Sequence, residues 1–110
     1  MIAVYIASPY TKGDVGENVN RSMLMADYLE ELGFLAHTPL LSHFRHLVNP
    51  RPYEYWLEKD LQWLLKCDCV LRMEGESSGA DREVEFAKQN NKPVFYSVDE
   101  LMEKYEGELV

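Results

Sequence analysis
Apolar positions change their period several times along the chain, and each change marks an element. The opening run MIAVYIAS (1–8) is β-branched and apolar on both alternating faces, as a strand buried on two sides inside a sheet must be. After PYTKGDVG the step lengthens: Val19, Met23, Ala26, Leu29 and Leu32 recur every three or four residues and predict a helix over roughly 17–32, stopped by Gly33. FLAHTPL predicts a shorter strand ended by Pro39. The stretch 39–52, PLLSHFRHLVNPRP, has three prolines and no clean period, so a long loop holding at most one short turn is expected there. Pro52 then opens a helix running to about Lys66, with Leu57, Leu61, Leu64 and Leu65 as its core stripe. CVLRM reads as a third strand, GESSG as a turn, 80–90 as a helix, PVFYS as a fourth strand and 98–105 as a last helix.

Strands alternating with helices imply crossover connections and a parallel sheet covered on both faces. The expected fold is therefore α/β: a doubly wound, flavodoxin- or Rossmann-like parallel sheet of four to five strands with helices on both faces. At 110 residues the chain suits a single domain over 1–110. In such sheets ligands bind beyond the carboxyl ends of the strands, where the winding reverses. Residues that follow strands are then candidates: Ser8, Pro9 and Tyr10 after the first, the His43 region after the second, and GESSGADRE after the third. Asp68 precedes a strand and falls at the far end, where a structural role in the helix-to-strand turn is expected.

Composition narrows the partners. The net charge of −8 opposes a phosphodiester backbone, which requires clustered Lys and Arg, so a nucleic-acid polymer is excluded as the expected partner. A small phosphorylated molecule is compatible with it, because one helix N-terminus and a local cation suffice for a phosphate. Lys12, Arg21, Arg45 and Arg51 are the candidate cations, each also readable as a solvated surface charge. The two cysteines, Cys67 and Cys69, are too close in sequence for an unstrained bridge, and read as buried free thiols of a reducing cytoplasm. No apolar run is long enough to cross a bilayer and the first residues lack the positive lead of a signal peptide, so no membrane association and a cytoplasmic location are expected. His43 and His46 stand three apart without a third ligand in view; His43 is expected to line the pocket or cap a turn, and no metal is expected. No G-x-G-x-x-G follows the first strand and no phosphate loop is present, which argues against a dinucleotide or flavin cofactor.

In SSGADREVEFA (77–87), Ser77 or Ser78 is positioned to cap a helix, Gly79 to let backbone approach a ligand, and the free N–H groups to hold an anion or sugar hydroxyl. An ordinary capping box, Ser78 with Asp81, would also produce this pattern. Glu83 borders the apolar stripe of Ala80, Val84 and Ala87 and leans toward the binding end, whereas Glu85 points to solvent. The helix dipole alone would also favour an acid there. In EYWLEKDLQWL (54–64), Asp60 lies between Trp56 and Trp63 at steps of four and three. Either it edges an amphipathic helix, or it is a carboxylate against aromatic walls, with raised pKa beside a surface that stacks on a flat base. Tyr5 faces away from Val4 and Ile6. It is a core residue or a phenol that orients a carboxylate and keeps it ionised.

Taken in order, VYIASPY, KDLQWLLKCDCVL and SSGADREVEFA resemble the nucleoside 2-deoxyribosyltransferase family and its relatives, the 2'-deoxynucleoside 5'-monophosphate N-glycosidases. The likeness runs from the first strand to about Tyr96. LLSH and the PYE-W pattern look like a group of short members of that superfamily. The resemblance implies Glu83 as the nucleophile that attacks the anomeric carbon, Asp60 near base and sugar, Tyr5 against the glutamate, and Ser77 at the 5' end of a phosphorylated substrate. Ser8 and Pro9 stand where the glycosidases carry Gly-Ser. The resemblance further implies a small-molecule nucleoside or nucleotide as substrate, no cofactor, and a homodimer or higher homo-oligomer. A carboxylate below the sugar would stabilise an oxocarbenium-like state and form an ester, while a protonated Asp60 would meet the departing base. Water then makes the enzyme a hydrolase, a second base a transferase. The competing expectation is a non-catalytic nucleotide-binding or sensor module of the same fold.

Overall fold
The computed structural model describes residues 1–109. Four strands form one parallel sheet: β1 (Ala3–Ala7), β2 (Leu35–His37), β3 (Cys69–Arg72) and β4 (Val94–Phe95), in the order β2-β1-β3-β4. Around them lie α1 (Val15–Glu31), α2 (Ser42–Val48), α3 (Tyr53–Lys66), α4 (Ser78–Gln89) and α5 (Val98–Tyr105).

Alternation along β1 divides the core into two layers. Val4 and Ile6 join Leu29 of α1, Phe34, and Leu101 and Tyr105 of α5 on one face; Tyr5 and Ala7 join Leu64 of α3 and Ala80 and Ala87 of α4 on the other. Both faces are thus covered by helices, and the fold is the doubly wound α/β class. The winding reverses between β1 and β3, so a crevice opens beyond Ala7 and Arg72, between the loop after β1 and the turn before α4.

Local chemistry sets the boundaries. Asp14 caps α1, its Oδ1 accepting from Glu17 N at 2.9 Å, so the helix begins at Val15, two residues before the expected start near 17. Gly33, at φ +105, lets the chain leave that helix in the left-handed region. At the far end of the sheet Asp68 Oδ2 accepts from Ala3 N at 2.7 Å, tying the start of β1 to the entry of β3. Cys67 and Cys69 are buried and free.

Three local expectations are corrected. Residues 39–52 are not a loop: a 3-10 turn, Pro39–Leu41, leads into α2, none of whose residues is buried, so no stripe appeared in the sequence to announce a helix. Leu65 is exposed rather than part of the α3 stripe, which narrows to Leu64 with half-buried Leu57 and Leu61. The cap of α4 is Ser77, whose Oγ accepts from Ala80 N at 3.1 Å, so no Ser78–Asp81 capping box forms.

Candidate active site
The crevice at the winding reversal holds a cavity of about 740 Å³. Glu83 and Asp60 both line it, from α4 and α3 respectively. Glu83 is only 7% exposed, held inside by the Ala80, Val84 and Ala87 stripe that seats α4 on the sheet, while Glu85 is exposed. Behind it Tyr5, fully buried, donates its phenol hydrogen to Glu83 Oε2. The two residues are 78 apart in sequence and meet because β1 runs beneath α4.

These groups act on one another's protons. Burial drives the Glu83 carboxyl up to about 8, outweighing the Tyr5 hydrogen bond, which favours the anion; Asp60 pushes it further up and Arg72 opposes. The expectation that Tyr5 keeps the carboxylate ionised is thereby corrected: desolvation is the larger effect. Burial also raises Asp60, to about 7, and raises Tyr5 well above the ordinary tyrosine range, with Glu83 adding to it. Interacting carboxyls titrate as a pair, so between pH 7 and 8 the two share about one proton.

Of the other candidates, Ser8, Tyr10, His43, Trp56, Ser77, Ser78 and Gly79 line the same cavity. Ser8 Oγ is buried with no hydrogen-bond partner among the described residues, a polar atom that a ligand group would satisfy. A Cβ on Gly79 would meet only Ser77 Oγ, at 3.9 Å, and otherwise project into open space. Tyr10 Oη and His43 Nδ1 are 2.7 Å apart, joining the loop after β1 to α2 across the cavity. Trp56 Nε1 donates to His46 Nδ1 at 2.9 Å, and Arg51 N does so at 3.2 Å; two donors on one nitrogen place the proton of neutral His46 on Nε2.

Pro9 does not line the cavity. It is buried behind the turn before α4, where its Cγ would lie 2.7 Å from a Cβ on Gly75. Trp63 does not line the cavity either, and its ring stacks on that of His37 at a centroid distance of 4.6 Å. Among the candidate cations, Lys12 and Arg51 line the cavity, whereas Arg21 and Arg45 do not. Arg82 does and was missed. The available signal was its position four residues after Ser78 and three after Gly79, on the helix face that lines the cavity. Among the described residues no group of three or more His, Cys, Asp or Glu is arranged to hold a metal ion. Nor is any of their helices long and apolar enough to cross a membrane.

A carboxyl kept neutral by burial makes the native state weaker as pH rises. Glu83 ordinarily titrates near 4.5, so its folded form gains protons relative to the unfolded chain, and stability falls as pH climbs from 4.5 through about 8. Glu83→Gln is therefore expected to stabilise the protein at pH 9 by on the order of 3 kcal/mol, with the gain gone at pH 4. Urea unfolding at both pH values reads the difference. A variant no more stable than wild type at pH 9 would show that the carboxyl carries no such burial cost.

A doubly wound sheet with two coupled carboxyls at its winding reversal defines the general class: an α/β protein with a carboxyl-lined crevice. Residues 2–97 match the family described as Domain of unknown function (DUF7768), and the chain belongs to that family. Its fold is similar to that of a 2-deoxyribosyltransferase from the psychrotolerant bacterium Bacillus psychrosaccharolyticus. The TM-score is 0.61 and the identity 20%, over 84% of this chain and 69% of that one. No curated protein matches the sequence.

Proposed function
We propose that the protein cleaves or exchanges the N-glycosidic bond of a (deoxy)nucleoside or its 5'-monophosphate, with Glu83 as nucleophile. The observation that carries this reading is the buried Tyr5–Glu83 pair opening onto a cavity shared with Asp60. Glu83 attacks the anomeric carbon as the bond from that carbon to the base nitrogen breaks. The bonding electrons leave with the base, and Asp60 delivers a proton to it. Water then attacks the anomeric carbon of the glycosyl ester and yields its proton to the Asp60 carboxylate, giving free sugar and the Glu83 carboxylate, or a second base takes the sugar and yields its N–H proton to Asp60 in the same way. Between pH 7 and 8 the single shared proton sits mainly on Glu83, and the productive form, Glu83 charged and Asp60 protonated, is its minor tautomer.

The likeness in fold to a 2-deoxyribosyltransferase supports this class of chemistry. The reading extends to a single domain of that type over residues 1–110, related to the short members of the superfamily. It works in a reducing cytoplasm as a homodimer or higher homo-oligomer. The exposed Phe44, Leu47 and Val48 on α2 support the assembly.

Arg51 and Arg82 line the cavity together with the Ser77 cap of α4, and Lys12, paired with Glu76 at 2.9 Å, lies on the same cavity; in a chain of net charge −8 this favours a 5'-monophosphate over the plain nucleoside. Chromatography for free base after incubation with both series tests this. Monophosphates are expected to react with at least about tenfold higher kcat/KM, and Arg82→Gln to remove most of that advantage. Equal rates for the two series would discard the phosphate preference. Saturable binding with no base released from either would assign a nucleotide-binding module instead.

A further inference from the structure
Arg72 closes β3 with a side chain only 11% exposed. One guanidinium spans three groups of the chain that follows it. Nη1 donates to Met73 O, and Nη2 donates to Gly75 O at 2.9 Å and to Asp81 Oδ1 at 3.0 Å. The two carbonyls belong to the turn between β3 and α4, and Asp81 to the first turn of α4, two residues before Glu83. That turn is also constrained from the other side: Gly75 sits at φ +119 with Pro9 packed where a side chain would be. Its two terminal nitrogens are engaged, and Arg72 does not line the cavity, which separates it from Lys12, Arg51 and Arg82.

We infer that Arg72 is the positioning residue for Glu83: its planar fork splints the strand-to-helix turn onto the first turn of α4 and so fixes where the carboxylate stands in the cavity. Its charge has a second effect. Glu83 faces Tyr5 from β1, Asp60 from α3 and Arg72 from β3, with Arg82 of its own helix on the same cavity. Arg72 is the cation that offsets part of the burial and the Asp60 repulsion, favouring the anion a nucleophile must be. A lysine would keep that charge but not the fork. The catalytic consequence rests on the glycosyl-transfer reading; the effects on the turn and on the Glu83 proton do not.

Arg72→Gln, Arg72→Lys and Asp81→Asn are to be compared with wild type by three readouts. Carboxyl 13C NMR, with Glu83 assigned through Glu83→Gln, gives its titration midpoint; amide hydrogen exchange over residues 74–78 reports the turn; base release gives kcat and KM. Arg72→Gln is expected to raise the Glu83 midpoint by about one pH unit. It should also speed exchange in the turn about tenfold and lower kcat about 10- to 100-fold, with KM little changed. Arg72→Lys should reproduce the exchange and kcat effects with the midpoint near wild type. Asp81→Asn alters an exposed partner and should speed exchange about threefold without unfolding the chain. If wild type releases no base, the glycosyl-transfer reading fails while the midpoint and the exchange still decide the role of Arg72. A folded Arg72→Gln with either of those two readouts unchanged overturns the inference. If neither Arg72 variant folds, unchanged exchange in Asp81→Asn overturns it and faster exchange upholds it.

Discussion

Glu83→Gln is expected to reduce base release from the preferred substrate by at least about a thousandfold, on the order of 4 kcal/mol of transition-state stabilisation. Glutamine has nearly the same shape, and its Oε1 still accepts from the Tyr5 phenol, so the cavity and substrate binding should survive. What disappears is the ability to form a bond to the anomeric carbon. The loss should therefore fall on kcat, with KM close to wild type. The same substitution is the one expected to strengthen the fold at high pH, so inactivity through unfolding is separable from inactivity through chemistry. A variant that keeps more than about a tenth of the activity would remove Glu83 from the nucleophile's role.

The second large effect concerns Asp60. Asp60→Asn is expected to slow base release by about 10²- to 10⁴-fold, the range of a lost general acid. The loss should shrink for bases that leave readily as anions, because they need the proton least. The pH profile should change shape as well. In wild type a bell with limbs near 7 and 8 is expected, both limbs belonging to the coupled pair. Without the Asp60 charge Glu83 loses a like-charged neighbour and titrates alone, so its midpoint falls below about 8 and a single rise at that midpoint replaces the bell. The alkaline limb, which reports loss of the pair's last proton, should disappear. A variant equally slow with every leaving group and with the bell unchanged would leave Asp60 only a packing role.

Much of this arrangement was legible in the chain, and the failures have physical causes. Two-sided burial of β1 and the stripes of α1, α3 and α4 each impose a period, and from these the parallel doubly wound sheet and the crevice end followed. Glu83 was legible as a carboxyl at the edge of a seated stripe. Its contact with Tyr5 was not, because a pair so far apart in sequence is joined only by the tertiary fold; the family resemblance supplied that expectation. α2 left no trace, since Phe44, Leu47 and Val48 are exposed and a helix that buries nothing has no period to display. Pro9 was misplaced because the rule that binding follows strand ends does not say which way the chain turns next. The raised Glu83 proton affinity was missed because a hydrogen bond can be guessed from residue types, but the burial that outweighs it is a property of the assembled core. Arg72 escaped notice for a related reason, as its acceptors are mainly backbone carbonyls that no motif displays.

The most direct measurement is the mass of the protein itself during turnover. Wild-type protein mixed with the reacting deoxynucleoside or its monophosphate, quenched in acid within the first turnover and digested, is expected to carry one added glycosyl group on the peptide containing Glu83. Glu83→Gln should carry none. Rapid base release with no adduct on that peptide, or with the sugar attached elsewhere, would contradict the assignment of Glu83 as the nucleophile.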